Sequence, residues 1–71
     1  MDANIAWQTI PQSAEAAGVS TSTIRRWIAR GHLRAYKFGP RAIRIDPADL
    51  NGMAEEVNPA TFEHVNGGDA L

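Results

Sequence analysis

The 71-residue sequence predicts a small α+β fold: two short helices, a two-stranded β-hairpin and a C-terminal helix. Three observations predict it. Between Thr9 and Gly31, two helix-favouring runs each follow a capping residue and each end at a glycine. Between Ala35 and Ile45, two short β-prone runs flank Gly39-Pro40-Arg41. Asp46-Pro47-Ala48-Asp49 then has the composition of a helix start.

The first helix is read from its cap. Trp7-Gln8-Thr9-Ile10 alternates apolar and polar residues, which suits a short strand. Thr9 also suits an N-cap, with Gln12 at the third helical position completing a capping box and Pro11 tolerated in the first turn. The alanine-rich stretch to Ala17 favours helix, and Gly18 stops it. Ser20 caps the second helix, with Val19 and Ile24 at hydrophobic-staple spacing. Ile24, Trp27 and Ile28 fall at i, i+3, i+4 and form one buried stripe. Ser22 and Arg26 lie opposite it; Arg25, Ala29 and Arg30 flank the exposed face. Gly31 closes the helix, and His32 beyond it reads as a partner for the helix dipole. Two short helices joined by Gly18-Val19-Ser20 outline a helix-turn-helix.

The hairpin comprises Ala35-Tyr36-Lys37-Phe38 and Ala42-Ile43-Arg44-Ile45. Tyr36 and Phe38 share one face of their strand, and Ile43 and Ile45 share one face of theirs. Lys37 and Arg44 are then expected to point the other way, with the two aromatics buried against the helices. For the third helix, Asp46 is the cap and Leu50, Met53, Ala54 and Val57 give a stripe reaching position 57. Gly52 weakens it by about 1 kcal/mol relative to Ala. Asn58-Pro59 breaks it, and Asn58 can cap one last short turn. The expected organisation is a flexible lead-in at 1–6, a winged helix-turn-helix domain at 7–57 and an acidic, partly disordered extension at 58–71.

Charge is segregated along the chain. The formal net charge is −1, yet all seven cations lie between Arg25 and Arg44, and no Asp or Glu occurs from Ala16 through Ile45. The average is therefore the wrong quantity to read. Solvated helix faces usually mix signs for i,i+4 support, so an uncompensated basic block points to a polyanion. Arginine reads guanine through two parallel hydrogen bonds to O6 and N7, while small hydroxyls and backbone N–H groups at a helix start suit phosphates. The candidate DNA-binding residues are Ser20, Thr21, Ser22, Arg25, Arg26 and Arg30 on the second helix, then Arg34, Lys37, Arg41 and Arg44 on the hairpin and its approach. The aromatics Tyr36 and Phe38 also admit a base-stacking role, but the scarcity of other large apolar groups favours packing.

Other classes lack parts. There is no Cys, and His32 and His64 are remote from one another, so no catalytic site, metal site or cofactor is expected. No apolar run is long enough to span a membrane, and Met1-Asp2-Ala3-Asn4 lacks a signal-peptide pattern, so a cytoplasmic setting is expected.

The run Thr9-Ile10-Pro11-Gln12-Ser13-Ala14-Glu15-Ala16-Ala17-Gly18-Val19-Ser20 resembles the first half of the MerR-like excisionase DNA-binding module. Thr23-Ile24-Arg25-Arg26-Trp27-Ile28-Ala29-Arg30-Gly31 resembles its second helix. Leu33 to Gly39, Ile43-Arg44-Ile45 and Asp49-Leu50 resemble its wing and exit. The likeness covers residues 7–50; Gln12 stands where the family usually has Glu, and Ala17 where it often has Leu. MerR-type regulators generally add a long dimerising helix and an effector domain, so size favours an excisionase, most like the short ones of mycobacteriophages. The resemblance implies a recombination directionality factor without catalysis of its own. It implies binding to repeats in attachment-site DNA, bending of that DNA, head-to-tail self-association along it, and steering of a phage integrase in the bacterial host toward prophage excision. The alternatives are a small MerR-like transcriptional regulator and a module docking its basic block on an acidic protein.

Overall fold

A computed structural model describes residues 4–60 and 62. The elements run α1 (Ile10–Ala17), α2 (Thr21–Ala29), β1 (Tyr36–Phe38), β2 (Ala42–Arg44) and α3 (Pro47–Asn51). This is the α+β arrangement expected, with the hairpin as the wing. The parts of the 1–6 lead-in and the 58–71 extension that fall on residues 1–3, 61 and 63–71 lie outside the described residues.

Local chemistry sets the helix ends. The Thr9 hydroxyl accepts from the Gln12 N–H at 3.1 Å, and the Gln12 side-chain oxygen accepts from the Thr9 N–H at 2.8 Å. This reciprocal pair satisfies two donors that the first turn leaves unpaired. Both α1 and α2 end in a Schellman pattern. Val19 N–H donates to the Ala14 carbonyl at 2.9 Å and Gly18 N–H to Glu15 at 3.2 Å. His32 N–H donates to Trp27 at 2.8 Å and Gly31 N–H to Ile28 at 3.0 Å. The pattern needs a left-handed residue, supplied by Gly18 (φ 72°) and Gly31 (φ 79°). The chain thus reverses between α1 and α2 in the short turn of a helix-turn-helix.

The core is small. Ala14, Ile24, Leu33, Ile45 and Leu50 are buried, with Ile10, Val19, Trp27, Ile28, Ala35 and Met53 packed around them. All three helices contribute to this set, and the hairpin does so through the residues that flank its strands, Ala35 and Ile45. Ser13 is also fully buried, and its hydroxyl donates to the Gln8 side-chain oxygen at 3.0 Å. Gln8 forms a one-residue bridge to Ile45, so the strand expected near Trp7 is reduced to a single paired position.

Two expectations are corrected. First, the register pairs Tyr36 with Arg44, Lys37 with Ile43 and Phe38 with Ala42. Directly opposed residues project to the same side of an antiparallel pair. Lys37 therefore shares the face of Ile43, and Arg44 shares the face of Tyr36 and Phe38. The aromatics do not bury against the helices: Tyr36 is 38% and Phe38 49% exposed, and both meet Trp7 edge-to-face at centroid distances of 5.2 and 5.1 Å. The physical reason is the register. Ile45, in phase with Ile43, takes the one face that the core can cover.

Second, α3 ends at Asn51 instead of reaching position 57. Asp46 caps it as expected, accepting from the Ala48 N–H at 2.9 Å. Gly52 has right-handed helical angles but disfavours continuation, and Met53 and Ala54 close the end with N–H bonds to Leu50 and Asn51. Val57 is 52% exposed, so the last position of its stripe is too little covered to reward a longer helix. Beyond it, Phe62 N–H donates to the Asn58 carbonyl at 2.8 Å, in the segment where Asn58 is expected to cap a last short turn.

Candidate nucleic-acid interface

The second helix presents the most concentrated basic surface. Its stripe of Ile24, Trp27 and Ile28 packs on the core. The opposite face is thereby turned outward: Ser22, Arg25 and Arg30 are exposed, and Thr21 and Arg26 are half-buried. Arg26 and Arg30, four residues apart, line an open notch with Trp27 and His32 at the C-terminal end of the helix.

At the N-terminal end, three side chains are linked in series. The Ser20 hydroxyl oxygen accepts from the Thr23 N–H at 3.1 Å, which caps the helix. The same hydroxyl donates to Thr23 Oγ1 at 3.1 Å. Arg26 Nη2 donates to that Thr23 oxygen at 3.2 Å. Ser20 is thus engaged within the helix, its proton directed at Thr23. Thr23 is absent from the residues that the charge pattern singles out. The i, i+3, i+6 spacing of Ser20, Thr23 and Arg26 is the signal that could have found it.

The hairpin carries its cations on different sides. Arg41 stands in the turn and is exposed, as is Lys37 on the Ile43 face. Arg44 is half-buried on the opposite face, its Nη1 donating to the Ile43 carbonyl at 2.8 Å. Arg34 precedes β1 and is exposed. The Tyr36 side chain, and then the Asp49 carboxylate, hold its guanidinium above its ordinary range. Asp49 thus offsets part of the charge that Arg34 would offer a phosphate. The ten sequence-derived candidates fall into three groups: the outward face of α2, the wing tip with Lys37, and Arg34 and Arg44 each held against this chain's own groups.

Among the described residues no group of three or more His, Asp or Glu side chains is arranged to hold a metal ion. No helix among them is long and apolar enough to cross a membrane.

A helix-turn-helix with a cationic outer helix and a basic hairpin defines a winged helix-turn-helix DNA-binding protein. Residues 9–57 match the family model described as a helix-turn-helix domain. Over 49 residues the chain is 53% identical to an excisionase of Mycobacterium phage D29, a stretch covering 69% of this chain and 88% of that relative. The chain belongs to the phage excisionase family.

Proposed function

We propose that this protein binds specific sequences in attachment-site DNA, bends that DNA and directs integrase-mediated recombination toward prophage excision. The observation that carries this reading is the outward, basic face of α2 in a chain 53% identical to an excisionase. α2 enters the major groove, where Arg25 and Arg26 meet base edges. Thr21, Ser22 and the backbone at Ser20 meet phosphates at the helix start. Arg30, Lys37 and Arg41 neutralise backbone charge on either side, and Arg34 and Arg44 add to the local positive field. The protein supplies no catalytic group; it acts in the host cytoplasm by shaping DNA for an integrase.

Neighbouring protomers bind head to tail. Residues 46–71 carry six carboxylates and no Lys or Arg, so one protomer's acidic end complements the next one's basic wing.

Footprinting on attachment-site DNA, a circular-permutation bend assay and an integrase-dependent excision assay test the reading together. The expected result is protection of repeated sites, a bend centred on them and stimulation of excision. Site-specific binding that represses a promoter while leaving excision unchanged would assign the fold to a transcriptional regulator instead.

A further inference from the structure

We infer that Thr23 is a positioning residue that sets sequence discrimination by holding the Arg26 guanidinium in place before DNA arrives. The inference rests on the proposed role of Arg26 in base recognition.

Thr23 is only 6% exposed, so it is poorly placed to touch DNA itself. Its hydroxyl oxygen nevertheless receives two donors, Ser20 Oγ at 3.1 Å and Arg26 Nη2 at 3.2 Å. The cap needs only the Thr23 N–H to Ser20 Oγ bond, which does not involve the Thr23 hydroxyl. The hydroxyl thus does something additional: it ties an arginine on the partly open face to the capped first turn. A donor already ionised makes that bond stronger than a neutral one. The Ser20 proton pointing at the same oxygen fixes the Ser20 rotamer too.

The consequence concerns binding. An arginine loses rotamer freedom when it docks on a base edge, and prior fixation reduces that loss. A guanidinium has five N–H donors in a rigid fork, so a bond to Thr23 does not by itself preclude a contact with a base. Orientation also sharpens the difference between right and wrong base pairs, because a two-bond contact to guanine tolerates little angular error.

Two substitutions at Thr23 separate positioning from folding. Thr23→Val keeps the branched shape and loses the hydroxyl; Thr23→Ser keeps the hydroxyl and loses a methyl. The probe is a duplex enriched for binding from a random-sequence pool, with the unselected pool as the non-specific reference. Discrimination is the ratio of the two affinities, and melting temperature reports stability. Thr23→Val is expected to lower discrimination about tenfold, the scale of one hydrogen bond to a charged group, with little change on the unselected pool. Thr23→Ser is expected to retain discrimination even where it lowers the melting temperature more. In the Arg26→Ala background, Thr23→Val is expected to lower discrimination no further. Additive losses in the double variant, or equal losses for Val and Ser, would overturn the inference. Full discrimination in Arg26→Ala alone would instead sink the reading of Arg26 as base-contacting, and the inference with it.

A measurement on the unmodified protein stands even if Thr23→Val fails to fold. Rotation about the guanidinium bonds, read by nitrogen-detected exchange NMR, is expected to be slower for Arg26 than for the exposed Arg25. Equal rates would contradict the tie.

Discussion

Gln8 and Ile45 exchange both backbone hydrogen bonds, at 2.9 and 2.8 Å, so the residue before the α1 cap is pinned to the residue after the wing. Gln8 also accepts the buried Ser13 hydroxyl through its side chain. Two backbone hydrogen bonds therefore tie Gln8 to Ile45, itself fully buried, and a third ties Gln8 to α1. With five buried apolar residues among those described, this junction sets the wing's position relative to α2.

Truncating Ile45 should separate the two halves. Ile45→Ala is expected to cost about 2–5 kcal/mol, a large share of what so small a domain possesses. Urea unfolding followed by tryptophan fluorescence measures it. A loss under about 1 kcal/mol would mean that the wing packs independently of the core.

Arg26→Ala should weaken binding to a preferred site by about 1–3 kcal/mol and relax specificity at one base pair. Gel-shift titration against duplexes carrying single base-pair changes reads both effects. Unchanged affinity and specificity would remove α2 as the recognition helix.

Arg41→Ala should behave differently, because a wing-tip cation meets phosphate. Affinity should fall alike for preferred and unrelated duplexes, and the log–log salt slope should drop by about one. A change confined to one base pair would make Arg41 a base reader.

Removing residues 58–71 should lower cooperativity between adjacent sites and spare affinity for one isolated site. Footprint titrations on one-site and two-site duplexes distinguish the two quantities. Equal cooperativity with and without the segment would exclude it as the head-to-tail contact.

Much of the architecture was legible in local sequence. Thr9 with Gln12, Ser20 and Asp46 cap the three helices as their residue types dictate, and Gly18 and Gly31 end two of them. Such features are set by atoms within a few residues of one another. The outward arginines of α2 were legible too, since one apolar stripe fixes the opposite face. The extent of α3 was not legible. A stripe from Leu50 to Val57 makes a helix only if each position is well covered by the core, and Val57 is left half-exposed. Nor was Thr23 visible as a partner of Arg26, because a threonine in a capped first turn has a sufficient local explanation.

The sequence by itself determined the order of the elements, their caps and the segregation of seven cations from eight carboxylates. Only the tertiary structure decided how those cations are distributed in space. Pairing Lys37 with Ile43 sends Lys37 and Arg44 to opposite faces of the wing, and Asp49 on α3 comes near enough to act on Arg34. The reason is that strand alternation fixes faces only within one strand. Which faces coincide depends on a register set across the hairpin and on a core that admits Ile45 and leaves Tyr36 and Phe38 to Trp7.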